Sequence, residues 1–182
     1  MGVHLTKIYT KTGDSGLTAL GNNYRVPKQS ARIQALGDID EANAAIGVAI
    51  LYVKDDLTRV DLMRLQNHLF DLGGTVCTPG LEFNPGRGLI SFYESRIDHY
   101  LEKQEPLNSF ILPGGSPASA HLHLARTIIR RAERSLWQLV DEEKDGTLGA
   151  KFLNRVSDLL FVMGRDENTE GDVLWRPINH ES

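Results

Sequence analysis

The 182 residues, 20.3 kDa, fall within the range of one domain able to bury most of its own apolar surface. Hydrophobic residues at 41% and charged residues at 24% exclude collagen-like, disordered and disulfide-scaffold chains, and the solitary Cys77 can form no internal disulfide and no thiolate zinc cluster. Twenty Lys and Arg against 24 Asp and Glu leave a formal charge of -4, so no global field favours a nucleic-acid backbone and any anion site must be local.

No apolar run approaches the roughly 18 residues of a membrane span, and the opening MGVHLTKIYTKTGDSG lacks the apolar core of a signal peptide. A soluble, cytoplasmic chain is expected, with no nucleic acid and no membrane as partner. Gly2 followed by Thr6 fits only a loose myristoylation pattern.

Residues 1–30 gather turn formers and hydroxyls, among them Thr10, Thr12, Gly13, Asp14, Ser15, Gly16, Thr18, Gly21, Asn22 and Asn23, and predict loop. Ile33, Leu36, Ile39, Ile46, Ile50 and Leu51 then recur at helical spacing and predict a first helix from Ala31 to about Val53. A second runs from Leu57 to about Val76, through Val60, Leu62, Met63, Leu65, Leu69, Phe70 and Leu72. Residues 79–88 hold three glycines and two prolines, a connector, before a short third helix from Ile90 to Leu101. After Pro113-Gly114-Gly115-Ser116 the most regular stripe appears, Leu124, Ala125, Ile128, Ile129, Ala132, Leu136, Leu139 and Val140, predicting a helix from Pro117 to about Asp141. Asp145-Gly146 turns the chain into a fifth helix, Leu148 to about Gly164, and a polar tail follows in which Trp175 and Pro177 are candidate docking points. No stretch of strand length alternates with period two, so an all-α, five-helix bundle is expected: a single domain over 1–182, with a Gly/Thr-rich loop at 1–30, helices over 31–168 and a tail at 169–182.

Helical geometry of about 100° per residue places Arg126, Arg130, Glu133 and Arg134 on one arc, nearly opposite the apolar stripe, with Arg131 on its flank. By itself this is a solvated face with intrahelical pairs. In the first helix Asp40 falls in the sector of Ile33, Leu36, Ala44, Ile50 and Leu51, whereas Asp38 and Glu41 point elsewhere. Either Asp40 is desolvated and must meet a cation on a neighbouring helix, or the helix is slightly rotated and Asp40 lies at a wet edge. Asn154, Asp158, Phe161 and Arg165 share the outer side of the fifth helix, where the Phe marks a subunit contact, a ligand wall or an ordinary half-covered aromatic. His121 falls on the apolar side and is expected as a hydrogen-bonded core residue, and Cys77 as a small core thiol.

Thr10-Lys11-Thr12-Gly13-Asp14-Ser15-Gly16-Leu17-Thr18 combines flexible backbone N–H groups, hydroxyls and a lysine, the donors a polyphosphate requires, though such a stretch also occurs as an ordinary loop. It is not a Walker loop, because Asn22 and Asn23 stand where Lys and Ser or Thr belong after Gly16 and Gly21. No Glu precedes a His by three residues, as a di-iron bundle needs, and no G-x-S-x-G elbow is present. The arginine row lacks the interleaved aromatics of an RNA surface.

Four segments, in order along nearly the whole chain, resemble one family. They are Lys7-Ile-Tyr-Thr-Lys-Thr-Gly-Asp-Ser-Gly-Leu-Thr18, Gly37-Asp-Ile-Asp-Glu-Ala-Asn43, Phe110-Ile-Leu-Pro-Gly-Gly-Ser116 leading to Arg126-Thr-Ile-Ile-Arg-Arg-Ala-Glu-Arg134, and Asn154-Arg-Val-Ser-Asp158. Together they are similar to the PduO-type ATP:cob(I)alamin adenosyltransferases. The resemblance implies a homotrimer of five-helix bundles that binds ATP between subunits and moves its 5'-deoxyadenosyl group to the cobalt of cobalamin, releasing triphosphate. It makes the opening segment a nucleotide-binding loop, with Thr10, Lys11, Thr12, Gly13, Gly16, Thr18 and Lys28 on ATP, joined by Arg130, Glu133, Arg134 and Asn154. It pairs Asp40 with Arg126 in the catalytic centre and sets Phe110 beneath the corrin ring. Mg2+ is expected on ATP rather than on protein ligands, and a flavoprotein reductase is the implied redox partner. Two departures stand out: Ala42 replaces the leucine usual after the Asp-Glu pair, and Asn22-Asn23-Tyr24 replaces a more basic Gly-Arg-Arg type.

Overall fold

The computed structural model of the chain describes residues 8–83, 88–144 and 146–178. Gly2, Thr6 and Lys7, part of the glycine-rich connector (Pro85 and Gly86), Asp145 of the turn and the last residues of the tail lie outside these ranges. Among the described residues the chain forms five helices, α1 (Ala31–Ile50), α2 (Asp56–Val76), α3 (Leu89–Leu101), α4 (Pro117–Glu143) and α5 (Thr147–Asp166). α4 packs against both α1 and α5, α2 against α1, and α3 against α5. The bundle expected from periodicity is present, no helix end differing by more than three residues. None of these helices is long and apolar enough to cross a membrane.

The seam between α1 and α4 is built from small residues at heptad spacing. Ala35, Ile39, Ala42, Ile46 and Ala49 of α1 meet Ala118, Leu122, Ala125, Ile129, Ala132 and Leu136 of α4, all fully or almost fully buried. Alanines on both sides let the backbones approach closely, and Ala42 is at home there because a leucine would need room that the seam lacks. Leu62, Leu65, Leu69 and Leu72 of α2 and Phe152, Val156, Leu159, Leu160 and Met163 of α5 complete the core. Tyr93 and Tyr100 of α3 are buried with their hydroxyls engaged, Tyr93 on His68 Nδ1 at 2.9 Å and Tyr100 on Thr58 at 2.8 Å.

Polar bonds set the helix ends and register. Ser116 caps α4, its hydroxyl accepting from the Ser119 N–H at 3.1 Å. Asp55 caps α2 through the Thr58 N–H at 2.7 Å, and buried Glu167 accepts the N–H groups of Lys54 and Asp55 at 3.2 Å each. Arg32, only 2% exposed, donates to Glu143 at the far end of α4 and to the Val76 carbonyl of α2.

Several side chains sit differently from expectation. The buried carboxylate of α1 is Asp38, bonded to Gln34 and Ser135 and 3.5 Å from Arg131, while Asp40 is exposed. The core face is rotated because the seam uses alanines, leaving the larger Ile33, Leu36 and Leu51 half-covered or exposed. Leu124, Val60, Met63 and Phe70 are likewise exposed. His121 is half-buried, stacked 4.7 Å from the Tyr52 ring, and His123 is the histidine in the core. Cys77 is only partly covered at the α2 C-cap. Within the expected loop, β1 (Leu17–Ala19) pairs antiparallel with β2 (Arg25–Pro27), Leu17 opposite Pro27 and Ala19 opposite Arg25. Three-residue strands are too short to show a period.

The turn into α4 needs glycine at 115. Its φ is +94°, and a Cβ there would lie 2.3 Å from Asn168 Oδ1. Asn168 cannot retreat, because that oxygen accepts the Ser116 N–H and its amide donates to the Gly171 carbonyl at 2.7 Å. Gly115→Ala is expected to destabilise the fold by about 2–4 kcal/mol, read as a lower urea midpoint at unchanged slope; an unaltered midpoint would show that the turn relaxes.

Candidate functional site

The Gly/Thr-rich loop is fastened to the end of the bundle where α1 begins and α2 ends. Leu20 is buried, and the Gly21 N–H donates to the Cys77 carbonyl at 2.8 Å. Beyond this anchor the loop is exposed and tightly wound: Lys11 takes φ +61° and Gly16 φ +82°. A non-glycine residue in the left-handed region costs roughly 1–2 kcal/mol, strain that neighbouring bonds must hold. Arg25 on β2 holds it, its guanidinium donating to the Thr12 carbonyl and, at 3.1 Å, to the Leu17 carbonyl. The Thr10 and Thr12 hydroxyls are 3.0 Å apart, and the Lys28 ammonium lies 3.2 Å from where a Cβ on Gly13 would be. Thr18 sits within β1. Thr10, Lys11, Thr12, Gly13, Gly16 and Lys28 thus form one cluster rich in donors.

A second cluster lies on the outer faces of α4 and α5. Arg130 and Arg134 are exposed on successive turns, Arg134 reaching back to the Arg130 carbonyl at 3.3 Å. Glu133 accepts from Asn154 Nδ2 at 3.3 Å, and Asn154 Oδ1 accepts from Arg155 at 2.8 Å. Arg131 turns away to Asp38 and Glu41. Asp158 sits at the rim of this face, its carboxyl raised above the usual carboxylate range by loss of surrounding water, against the opposing pull of Arg155 and Arg130.

The third cluster surrounds Phe110, which is 78% exposed. The tail folds back on it: the Trp175 N–H donates to the Phe110 carbonyl at 2.7 Å, the Leu112 N–H to Val173 at 2.8 Å, and the Trp175 ring stands edge-on to Phe110 at 6.1 Å. Between them opens a cavity of about 660 Å3 whose wall includes Leu107, Phe110, Arg126, Phe161 and Trp175. Leu107 and Phe161 also border a groove of about 670 Å3 between α3 and α5. Arg126 lies over the Phe161 ring at 5.9 Å, half-buried, and burial together with the charge of Arg130 makes it less basic than an ordinary arginine.

Within one chain the loop stays apart from the Phe110 cavity, whereas the second and third clusters adjoin along α4 and α5. Arg32 of α1 meets Glu143, so the loop lies near the last turn of α4, about 25 Å along its axis from Arg126 at the rise of an α-helix. Asp40 does not reach Arg126 either; it lines a groove of about 550 Å3 between α1 and α2, with Leu36, Phe70 and Gly73. The sequence reading missed Arg25 as an organising residue, while Trp175, expected as a docking point of the tail, does dock on Phe110. A lone large aromatic in a polar tail is the only signal for Trp175, and nothing local distinguishes Arg25 from other surface arginines.

The cobalamin adenosyltransferase family model matches residues 8–167. A corrinoid adenosyltransferase of Mycobacterium tuberculosis is 50% identical over 187 residues, spanning 97% of this chain and 96% of the relative. One from Bacillus subtilis is 40% identical over 174 residues, spanning 92% and 89%. The structure of a variant PduO-type ATP:corrinoid adenosyltransferase from Lactobacillus reuteri, complexed with cobalamin and ATP, superposes with a TM-score of 0.88 at 34% identity, covering 94% of this chain and 100% of that one.

Arg25→Ala removes the two bonds that hold the strained loop but touches nothing in the core. Amide exchange across residues 11–16 is expected to rise roughly fivefold or more, the equivalent of one net hydrogen bond, while the urea midpoint shifts by less than about 0.5 kcal/mol-equivalent. Unchanged exchange would mean that the loop holds its shape without Arg25.

Proposed function

The chain belongs to the cobalamin adenosyltransferase family and is an enzyme of that kind, which places the 5'-deoxyadenosyl group of ATP on corrinoid cobalt; we propose that it does so as a homotrimer, at a site completed by two protomers. The loop residues Thr10, Lys11, Thr12, Gly13, Gly16 and Thr18, with Lys28, hold the polyphosphate from one side. Arg126, Arg130, Glu133, Arg134 and Asn154 of the next protomer close over it from the other.

The observation that carries this reading is the separation of the loop from the Phe110 end of α4. The loop has the donors of one half-site and the α4–α5 face those of the other, and helix geometry holds the loop and the Phe110 cavity about 25 Å apart along α4 in one chain. Asp40 is exposed beside an apolar groove on α1 and α2, and Arg126 carries a buried Nε with no partner. A second copy seating its α4 and α5 face on that groove would cover apolar surface and pair Asp40 with Arg126 in one step.

The chemistry asks the side chains to orient and neutralise rather than to react. As the bond from C5' to triphosphate breaks under attack by reduced cobalt, negative charge gathers on the leaving group, where Lys11, Lys28, Arg130, Arg134 and the loop N–H groups stabilise it. Mg2+ would ride on phosphate oxygens, adding charge neutralisation there. Phe110, braced by Trp175, offers an apolar face beneath the corrin. Keeping the lower base off cobalt lowers the orbital that takes the electron, which suits reduction by a flavoprotein. A cytoplasmic setting, with ATP and reductant at hand, fits this chemistry.

Incubation with ATP, Mg2+ and chemically reduced cobalamin is expected to yield adenosylcobalamin and triphosphate in equal amounts. Lys11→Ala and Arg126→Ala should each abolish transfer, yet the two variants refolded together should regain about one quarter of wild-type activity, the fraction of junctions that combine an intact loop with an intact α4 face. No recovery in mixed, folded oligomers would place the whole site in one protomer.

A further inference from the structure

His123 is the deepest titratable group near the Phe110 cavity, 2% exposed, and nothing in the adenosyl transfer outlined above uses it. Its imidazole stands edge-on to Phe161 at 5.8 Å, and its Nε2 rests where a Cβ on Gly164 would come within 3.2 Å, so the glycine makes room for the ring. Arg126, one turn later on α4, lies over the same Phe161 ring. Each side chain holds one buried nitrogen without a partner: His123 Nδ1 and Arg126 Nε. The two are chemically complementary. Arg Nε–H is an obligatory donor, and the Nδ1 of a neutral imidazole protonated on Nε2 is an acceptor.

We propose that His123 is the positioning residue for Arg126: with Arg126 in its working rotamer, neutral His123 accepts the Arg126 Nε–H on Nδ1 and holds the guanidinium flat against Phe161, leaving both Nη groups free to face the junction with the next protomer. That last role of Arg126 rests on the two-protomer site proposed above; the pairing of His123 with Arg126 does not. A charged imidazolium offers no acceptor at Nδ1 and repels the guanidinium, so the arrangement exists only while His123 is neutral.

The surroundings favour that state. Burial lowers the His123 pKa below the ordinary histidine value, and Arg126 on its own helix lowers it further. Asp172 in the tail pulls the other way, but its carboxylate is engaged by Arg165 at 2.8 Å. From α5 the ring meets the uncharged Phe161 and Gly164.

The test begins with nitrogen NMR of the wild-type protein, which needs no turnover. His123 should show the Nε2–H tautomer and titrate below the usual histidine range, and in Arg126→Met its apparent pKa should rise because the adjacent cation is gone. A proton on Nδ1, or a titration indifferent to Arg126→Met, overturns the proposal. Activity supplies the second arm. Asn places its amide oxygen near the position of Nδ1, so His123→Asn should keep transfer close to wild type and lose the acid limb of the pH profile. His123→Leu, apolar and buried, should lower kcat/KM roughly tenfold to a hundredfold, the range for losing a hydrogen bond to a charged group. Equal activity of the Asn and Leu variants, or an acid limb that persists in His123→Asn, also overturns it. If the wild type transfers nothing, the functional reading fails while the NMR arm still decides the pairing.

Discussion

Everything in this molecule answers to the burial of one stripe on α4. The helix runs for 27 residues, about 40 Å, and the stripe from Ala118 to Leu139 is almost wholly excluded from water. A rotation of one residue, about 100°, would carry arginines into a dry seam lined by alanines, where no acceptor awaits them. The core therefore dictates where the outer face points. With the stripe seated, the same period throws Arg126, Arg130, Glu133 and Arg134 outward together. The bonds of Asp38 to Ser135 and Arg131, and of Arg32 to Glu143, then fix how far α4 slides along α1. Arg32 is nearly inaccessible, so its charge tolerates no other axial register.

That dependence explains what could be read from the sequence. The helices were legible because long periodic segments announce themselves, and the outward arc of α4 followed from angular arithmetic. The face of α1 was not legible. Its large apolar residues, Ile33, Leu36 and Leu51, outweigh alanines in any periodicity sum, yet the alanines line the seam, because close backbone approach rewards small side chains. Asp38 and Asp40 consequently exchange places relative to expectation. His121 and His123, two residues apart, exchange for a kindred reason: Phe161 and Gly164 of α5 pack on His123, and neither is visible from the spacing within α4. Contacts made by the tail on residues 109–112 join segments some sixty residues apart, beyond the reach of local pattern.

The strained loop shows a second division of labour. Lys11 adopts a backbone conformation that lysine disfavours, and Arg25 bonds the carbonyls on either side of the turn instead of meeting a carboxylate. A loop held this way has less conformational entropy left to lose, which would favour the polyphosphate binding proposed for it. The asparagines at 22 and 23 are consistent with this arrangement. They turn the β1–β2 hairpin, Asn23 at φ +66°, and the basic residue that stabilises the loop is Arg25, at the start of β2.

The arginines of the chain differ in whether a carboxylate neutralises them. Arg32, Arg59, Arg96, Arg131, Arg155 and Arg165 each meet a carboxylate. Arg126, Arg130 and Arg134 have no such ion pair among the described residues, although the chain carries more acidic than basic groups. Arg25, Arg64 and Arg176 meet no carboxylate at ion-pair distance among the described residues either; what sets α4 apart is that three such arginines lie along one helix. A paired guanidinium has little field left to offer a ligand, because its own counter-charge cancels it at short range. In the proposed two-protomer site Arg130 and Arg134 would keep theirs for charge that appears only as triphosphate leaves, which is when stabilisation accelerates the reaction, while Arg126, partly desolvated against Phe161, would meet Asp40.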